Sequence, residues 1–509
     1  MAESRPDRTE LLVRWTVPLV VLAFFAATAS GYGVFRDELY YMACARHLDW
    51  GYVDHPPLVA LIARLAGIAF PHSWIALRML SALAAAGTVV LTGDLARELG
   101  GGRVARLLAQ VLTATAPIYL SLFSIYSMNG FDVLIWAGLA LMAARILAGG
   151  SERLWLPFGA LAGIGLENKI DVALLGAGVV GGCLLARRFD VFRSRWIWLG
   201  GALAAALFAP NVVWQAFYGW PTREFVANAQ RDKITPLGPL GFVAKQVFIV
   251  GPVAFGFALS GVLWLLVGTT ARAFRPLGWA ALGVLAVLAA SVSKPYYFAP
   301  AYTILFAAAR VALETWTVGR FARPLRAAAL LAAASILPVA PLAKPLLSED
   351  AYVRYAAALH VPPGTDENHR LGRLPQFFAD MHGWHELAEA VAAVNAALPA
   401  DDRARACVYG QNYGEAGAID VFGAAMDLPP AISQHNSYWM WGPGSCSGEV
   451  VLIIGGDRED HLENFASVDR GGVFRCADCM PYESELTIWI ARGLKVSLTD
   501  AWRRSKHYD

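Results

Sequence analysis

Through the first two thirds of the chain, apolar residues come in long uninterrupted blocks separated by short segments that concentrate Arg, Pro and Gly. The blocks show neither the alternation of a half-buried strand nor the single apolar stripe of a surface helix, and a helix needs about twenty apolar residues to cross a bilayer. Reading blocks against polar breaks predicts eleven membrane helices, starting near Trp15, Trp74, Val104, Gly130, Leu154, Asp171, Trp196, Gln246, Leu277, Pro295 and Arg326. After Leu342 the pattern changes: Asp, Glu, His, Asn and Gly rise and no long apolar run remains. There "RACVYG" and "GEVVLIIGG" read as buried strands bounded by Gly, and "WHELAEAVAAVNAAL" has helical spacing. The expected fold is a polytopic α-helical membrane domain, residues 1–342, followed by an extracytoplasmic soluble domain of α/β or α+β type, residues 343–509.

Composition sharpens this picture. Of 509 residues 57% are hydrophobic and only 16% charged, which excludes both an ordinary soluble protein and intrinsic disorder. A net charge of +2 gives no broad basic surface, so nucleic acid is not an expected partner. Arginines fall in alternate loops: Arg5, Arg8 and Arg14; Arg97, Arg103 and Arg106; Arg145 and Arg153; Arg187, Arg188, Arg193 and Arg195; Arg272 and Arg275; Arg310, Arg320 and Arg323. The positive-inside rule then puts the N-terminus in the cytoplasm and everything after about Leu342 outside, in a multi-pass protein of the cytoplasmic (inner) membrane. The first apolar run, Trp15 to Gly31, is read as an uncleaved anchor rather than a signal peptide, because cleavage would remove the helix that presents Asp37 and Glu38 at the membrane surface.

Lysine is scarce, and its placement is informative. Lys169, Lys233, Lys245 and Lys294 lie near the outer ends of predicted helices, against the positive-inside bias, as cations would if an anion required them. Four of six cysteines, Cys407, Cys446, Cys476 and Cys479, fall in the outer domain, where an oxidising compartment favours disulfides; the three pairings, a metal site through the "CADC" spacing and free thiols stay open.

The first external loop reads "GYGVFRDELYYMACARHLDWGYVDHPPL" and gathers Arg36, Asp37, Glu38, Asp54 and His55 among tyrosines and tryptophans. Carboxylates at a membrane surface are costly and usually face a protein cavity. Further polar groups recur at the same face: Asp132 in "SMNGFD", Lys169 in "GLENKID", and Lys294, Tyr296 and Tyr297 in "SKPYYFAPAY". Acidic groups beside scattered cations there suit transfer between a polar acceptor and an anionic lipid-linked donor.

At "RDELYY", "DHPPL" and "KPYYFAPAY", and at "NYGEAGAIDVFG" and "ISQHNSYWMWGP" in the outer domain, the chain resembles the bacterial membrane glycosyltransferases akin to protein mannosyltransferases and the aminoarabinose transferase of lipid A, of the GT-C fold. The resemblance implies inverting transfer of a hexose or pentose from a polyprenyl-phosphate carrier to a glycan, lipid or protein acceptor. It implies Asp37 as the catalytic carboxylate, with Glu38 and Asp54 around the acceptor or an ion. His55 stands where some relatives have Lys before the double proline. The chemistry fits the residues independently: a carboxylate can take the proton of an attacking hydroxyl, while the leaving lipid phosphate needs cations rather than an acid. Lys169, Arg231, Lys233 and Lys294, with Tyr296 and Tyr297, are the expected phosphate-binding groups. Asp54, His55, Asp132, Glu415, His435 and Asn436 are expected at the acceptor or an ion. No cofactor is required by the pattern; a divalent cation on Asp37, Asp54 and His55 stays open. The competing reading is a transporter or flippase for a lipid-linked or anionic solute, which should place its charges near the bilayer midplane.

Overall fold

The computed structural model describes residues 8–71, 73–316 and 322–509; Arg5 and Arg320, two of the arginines used for orientation, lie outside the described residues. The chain divides into two compact units. The first comprises the described residues of Met1–Ala29, Ile75–Val213 and Thr235–Leu346, and the second Ser30–Trp74, Trp214–Ile234 and Leu347–Asp509. A linear division at residue 342 misses this, because two early segments fold with the C-terminal part.

The membrane unit is helical. Among the described residues six helices are long and apolar enough to cross a membrane: Arg8–Ala27, Trp74–Glu98, Met128–Leu147, Arg195–Phe217, Arg272–Ala290 and Arg326–Ala343. A seventh span forms if the pair Gly238–Val250 and Pro252–Val267, bent by 116°, is counted as one. Among the described residues the helices of spanning length are thus fewer than the eleven expected, although a helix lies at or near each expected start. The helices Arg103–Thr115, Trp155–Leu166 and Val172–Leu185 have only 13, 12 and 14 residues. At 1.5 Å per residue such helices reach about 18 to 21 Å, short of a hydrocarbon core of about 30 Å. Pro117 opens a new six-residue helix after Thr115, and Pro295 and Pro300 wind Pro295–Ala301 into a tight 3-10 segment before Tyr302.

Several orientation-marking arginines also hold this unit together. Glu10 is ion-paired with Arg97 and Arg106, and Asp94 accepts from Arg14 at 2.7 Å and Arg106 at 2.9 Å. These contacts tie the first helix to Trp74–Glu98 and Arg103–Thr115.

The second unit carries a five-stranded mixed sheet: β1 (Ala406–Gly410), β2 (Ala431–Ser433), β3 (Val450–Ile454), β4 (Phe465–Arg475) and β5 (Glu485–Leu494), in the order β2-β1-β3-β5-β4. β1 runs parallel to β2 and β3, while β5 runs antiparallel to β3 and β4. The central strand, Val450–Ile454, is apolar and buried at every position, as a strand covered on both faces must be. Cys407 pairs with Cys446 and Cys476 with Cys479, while Cys44 and Cys183 are buried free thiols.

The helix Arg36–Arg46 packs on the helix Tyr413–Phe422 because the latter presents glycine there. A Cβ on Gly414 would sit 2.7 Å from Arg36 Cγ, and one on Gly417 would sit 2.9 Å from Leu39 Cβ. Glycines three apart on one face thus let the two helices approach closely enough for their side chains to meet.

Candidate active site

Asp37 stands in the first turn of the helix Arg36–Arg46, where a carboxylate gains from the helix dipole. Its side chain is 36% exposed, so it meets both protein and solvent. Tyr413 Oη donates to Asp37 Oδ1 at 2.8 Å, and Arg36 Nε lies 3.9 Å from the same oxygen. The guanidinium of Arg36 covers the Tyr413 ring at 5.3 Å and reaches Asp380 Oδ2 at 3.7 Å and Tyr482 Oη at 2.9 Å. Burial pushes the Asp380 carboxyl up to about 6 although Arg36 pulls it down, and burial also raises the Tyr413 phenol. Tyr413 therefore keeps its proton and remains a donor to Asp37. Arg36 is committed to Asp380 and Tyr482, which leaves Asp37 held by one hydroxyl and one distant cation.

A second carboxylate is held in the same manner. Tyr40 Oη donates to Asp54 Oδ1 at 2.9 Å and lies 2.8 Å from Ser437 Oγ. The Tyr40 and Tyr413 rings are 4.8 Å apart, so the two aspartates are joined through a pair of packed phenols.

Other expected site residues have structural engagements. Glu38 is fully buried and its Oε2 accepts from the Phe35 N–H at 2.7 Å, closing the first turn of its helix rather than facing a substrate. His55 is buried against Tyr40, Tyr41 and Tyr52; its Nδ1 is 2.8 Å from the Pro56 carbonyl and its Nε2 3.7 Å from Cys44 Sγ. Both ring nitrogens are thus used within the fold, which leaves none for a phosphate or an ion. Among the described residues, the group whose ligand atoms converge within 4.8 Å is His435, His507 and Asp509, not Asp37, Asp54 and His55.

In that group Asp509 Oδ1 lies 2.7 Å from His435 Nε2 and 3.2 Å from His507 Nε2, and Asn436 Oδ1 accepts from the Asp509 N–H. The Tyr413 N–H donates to His435 Nδ1 at 3.4 Å, which fixes His435 as a donor at Nε2. Burial lowers the His435 imidazole; burial alone would raise Asp509, but hydrogen bonds from the two histidines and the charge of Lys233 hold it well below the usual carboxylate range. Glu415 accepts from the Gln411 N–H at 2.6 Å and from Asn412 Nδ2 at 3.1 Å, and the same Asn412 amide reaches Glu483 Oε1 at 2.8 Å. Burial raises both carboxyls, Glu483 to about 7. These expected acceptor groups belong to the folded interior of the second unit.

The expected phosphate-binding residues divide between the units. In the membrane unit Lys169, Tyr296 and Tyr297 come together: Lys169 Nζ lies 4.7 Å over the Tyr297 ring, whose centroid is 4.9 Å from that of Tyr296. The same ammonium is 2.7 Å from Asp171 Oδ2 and 3.6 Å from Asp132 Oδ2, so its charge is already met. Lys294 stands immediately before the turn Pro295–Ala301 that carries both tyrosines. In the second unit Arg231 is exposed and paired with its neighbour Asp232 at 2.7 Å, and Lys233 lies in the field of Asp509.

Sequence reasoning passed over Tyr413, Asp380 and Tyr482, the groups that set the environment of Asp37. Their only advance signal was that Tyr413 lies in the quoted "NYGEAGAIDVFG" segment, 376 residues from its partner.

Comparisons with known proteins bear on the fold. A family model described as dolichyl-phosphate-mannose-protein mannosyltransferase matches residues 54–214. The structure of ArnT from Cupriavidus metallidurans bound to undecaprenyl phosphate superposes with a TM-score of 0.60 at 14% identity, covering 95% of this chain and 98% of that one. Its apo state gives 0.59 at 15% identity, covering 94% and 97%. The chain thus has the fold of these structures, the GT-C fold of a multi-pass membrane protein. Lipid A galacturonosyltransferase RgtD of Rhizobium johnstonii is 25% identical over 295 residues, 56% of this chain and 60% of that protein, so the aligned part spans less than two thirds of that relative.

Proposed function

We propose that the protein is an inverting glycosyltransferase that moves a hexose or pentose from a polyprenyl-phosphate carrier to a glycan, lipid or protein acceptor at the outer face of the cytoplasmic membrane. The observation that carries this reading is Asp37: a partly open carboxylate at a helix start, oriented by Tyr413 Oη at 2.8 Å, in a chain with the GT-C fold. Asp37 takes the proton of the acceptor hydroxyl as its oxygen attacks the anomeric carbon. The bond from that carbon to the phosphate oxygen breaks, and its electron pair leaves with the lipid phosphate. A phosphate leaves as a stable anion, so no general acid is needed and cations meet its charge. Lys294, beside Tyr296 and Tyr297, is the cation we assign to that phosphate. The arginine-rich loops support a cytoplasmic N-terminus and an extracytoplasmic C-terminal part.

The test is reconstitution with radiolabelled polyprenyl-phosphate sugars and a membrane extract, comparing wild type with Asp37→Asn. Removing a general base should lower transfer by about 10²-fold or more. Unchanged transfer would remove Asp37 from the mechanism, and solute flux into vesicles without transfer from any donor would turn the assignment to a transporter.

A further inference from the structure

Arg36 and Asp37 are neighbours at the start of the helix Arg36–Arg46, yet the cation is held away from the carboxylate beside it. The Arg36 Nε–H is buried without a hydrogen-bond acceptor, and Asp37 Oδ1 lies 3.9 Å from it. A hydrogen-bonded guanidinium and carboxylate stand about 2.7 to 2.9 Å apart, so a movement of about 1 Å would close the pair. A buried donor without an acceptor is costly, and the gap therefore needs a force that keeps it open.

That force comes from the far side of the guanidinium. Asp380 Oδ2 lies 3.7 Å from Arg36 Nη2, Tyr482 Oη accepts from Nη1 at 2.9 Å, and the group covers the Tyr413 ring at 5.3 Å. Asp380 is itself fixed. It is 3% exposed, and its backbone carbonyl accepts from the Arg36 N–H at 3.0 Å and from Trp384 Nε1 at 2.9 Å. One guanidinium thus stands between two carboxylates and makes a side-chain hydrogen bond to neither. The other charged groups around it are Glu367 and Glu483, whose fields reach both Arg36 and Asp380, and His369, which lies in the field of Arg36. Tyr413 and Tyr482 keep their protons, because burial raises both phenols. Burial raises Asp380 only to about 6, so it is charged at neutral pH and attracts Arg36 there.

A cation that closes on a carboxylate weakens its hold on a proton by about one to three pH units, and a weakened base transfers protons more slowly. We propose that Asp380 is a positioning residue for transfer: acting through Arg36, it keeps the neighbouring cation off Asp37, so that Asp37 stays basic enough to take the proton of the acceptor hydroxyl. The proposal rests on the transferase reading, and its first readout does not use transfer. Asp37, with a side chain 36% exposed, is open to a water-soluble carbodiimide with glycine methyl ester. Labelling of the purified full-length protein in detergent across a pH series is read by peptide mass spectrometry, with the exposed Glu459 as internal reference. Asp380→Asn should move the pH midpoint of Asp37 labelling down by about one unit and lower kcat about tenfold, with the acid limb of kcat/KM moving the same way and the acceptor KM little changed. Tyr482→Phe, at a 38% exposed position, should move the midpoint in the same direction by less, and it keeps the test open should Asp380→Asn fail to fold. In an Arg36→Gln background neither substitution should have a further effect, because the cation they release is gone.

A labelling midpoint that stays at its wild-type value in both variants, or shifts of equal size with and without Arg36, would overturn the proposal. Unshifted labelling in a protein that transfers sugar would remove this assignment alone. Shifted labelling in a protein that transfers from no donor would leave the hold of Asp380 on Arg36 standing and remove the transferase reading instead.

Discussion

Lys169 in the membrane unit and Asp37 in the second unit are both charged groups that the sequence marks for chemistry, yet they are held in opposite ways. Lys169 is buried between two aspartates and beneath a tyrosine ring, with ion-pair distances of 2.7 and 3.6 Å. Asp37 keeps a third of its surface open and touches one phenol, with its nearest cation 3.9 Å away and engaged elsewhere. A charge taken out of water must be compensated locally, and once compensated it has little left to offer a ligand. A carboxylate that retains solvent and a single neutral donor can still accept a proton. The chemical candidate is therefore the less completely satisfied of the two.

The sharpest way to break this contrast is to exchange stability for activity. Lys169→Met should leave Asp132 and Asp171 buried without their cation and cost about 3 to 5 kcal/mol, seen as a large fall in the unfolding midpoint in detergent. Asp37→Asn should leave that midpoint near wild type while abolishing transfer. Equal stability losses in the two variants would show that the carboxylate is as structural as the lysine.

Next in size is a pH effect from Glu415 and Glu483, two carboxyls buried together and joined through the Asn412 amide. Burial raises Glu483 to about 7 in the fold against about 4.3 in the unfolded chain, so the folded state holds its proton more tightly. Its contribution to stability is complete below about pH 4 and is lost as pH rises towards 7, a difference on the order of 4 kcal/mol. Asp380, raised to about 6, acts in the same direction, whereas Asp509, held low, acts in the opposite one. The comparison that isolates the pair is wild type against Glu483→Gln at pH 5 and pH 8: the variant should lose less stability between the two. A steeper loss in the variant would reverse the sign.

Tyr413→Phe should be smaller again, since it removes one hydrogen bond to a charged group, worth about 1.5 kcal/mol or about tenfold in transfer rate. The effect should fall on kcat with KM little changed, because the phenol orients the base rather than the acceptor. A selective rise in KM would place Tyr413 at the acceptor instead.

Much of this was legible before any coordinates. Apolar block length announced a membrane protein, "ACVYG" and "VVLII" are strands, and Asp37 stood out as a carboxylate directly after the first apolar block. Helix starts were legible and helix lengths were not, because block length counts apolar residues without showing where Pro117 or Pro295 interrupts the hydrogen-bond ladder. Glu38 and His55 drew attention as polar residues, but a capping carboxylate and a core histidine differ from catalytic ones only in what surrounds them. The partners that decide such roles come from distant segments, as Tyr413 does for Asp37, and pattern along the chain does not say which residue meets which. Asp380 and Tyr482 likewise reach Arg36 from separate stretches.

The smallest expected effect belongs to Arg231. Its guanidinium is 68% exposed and meets the carboxylate of the next residue in the chain, a pair that solvent and salt screen and that constrains little beyond its own turn. Sequence reasoning placed it among the cations available to neutralise phosphate charge. In the structure its charge is cancelled by Asp232, whereas Lys294 opens the turn that carries Tyr296 and Tyr297. Arg231→Ala should therefore leave both the unfolding midpoint and the KM for a polyprenyl-phosphate donor at wild-type values, while Lys294→Ala should raise the donor KM. A donor defect in Arg231→Ala as large as that of Lys294→Ala would return the exposed arginine to the site and show that compensation by a sequence neighbour does not silence a cation.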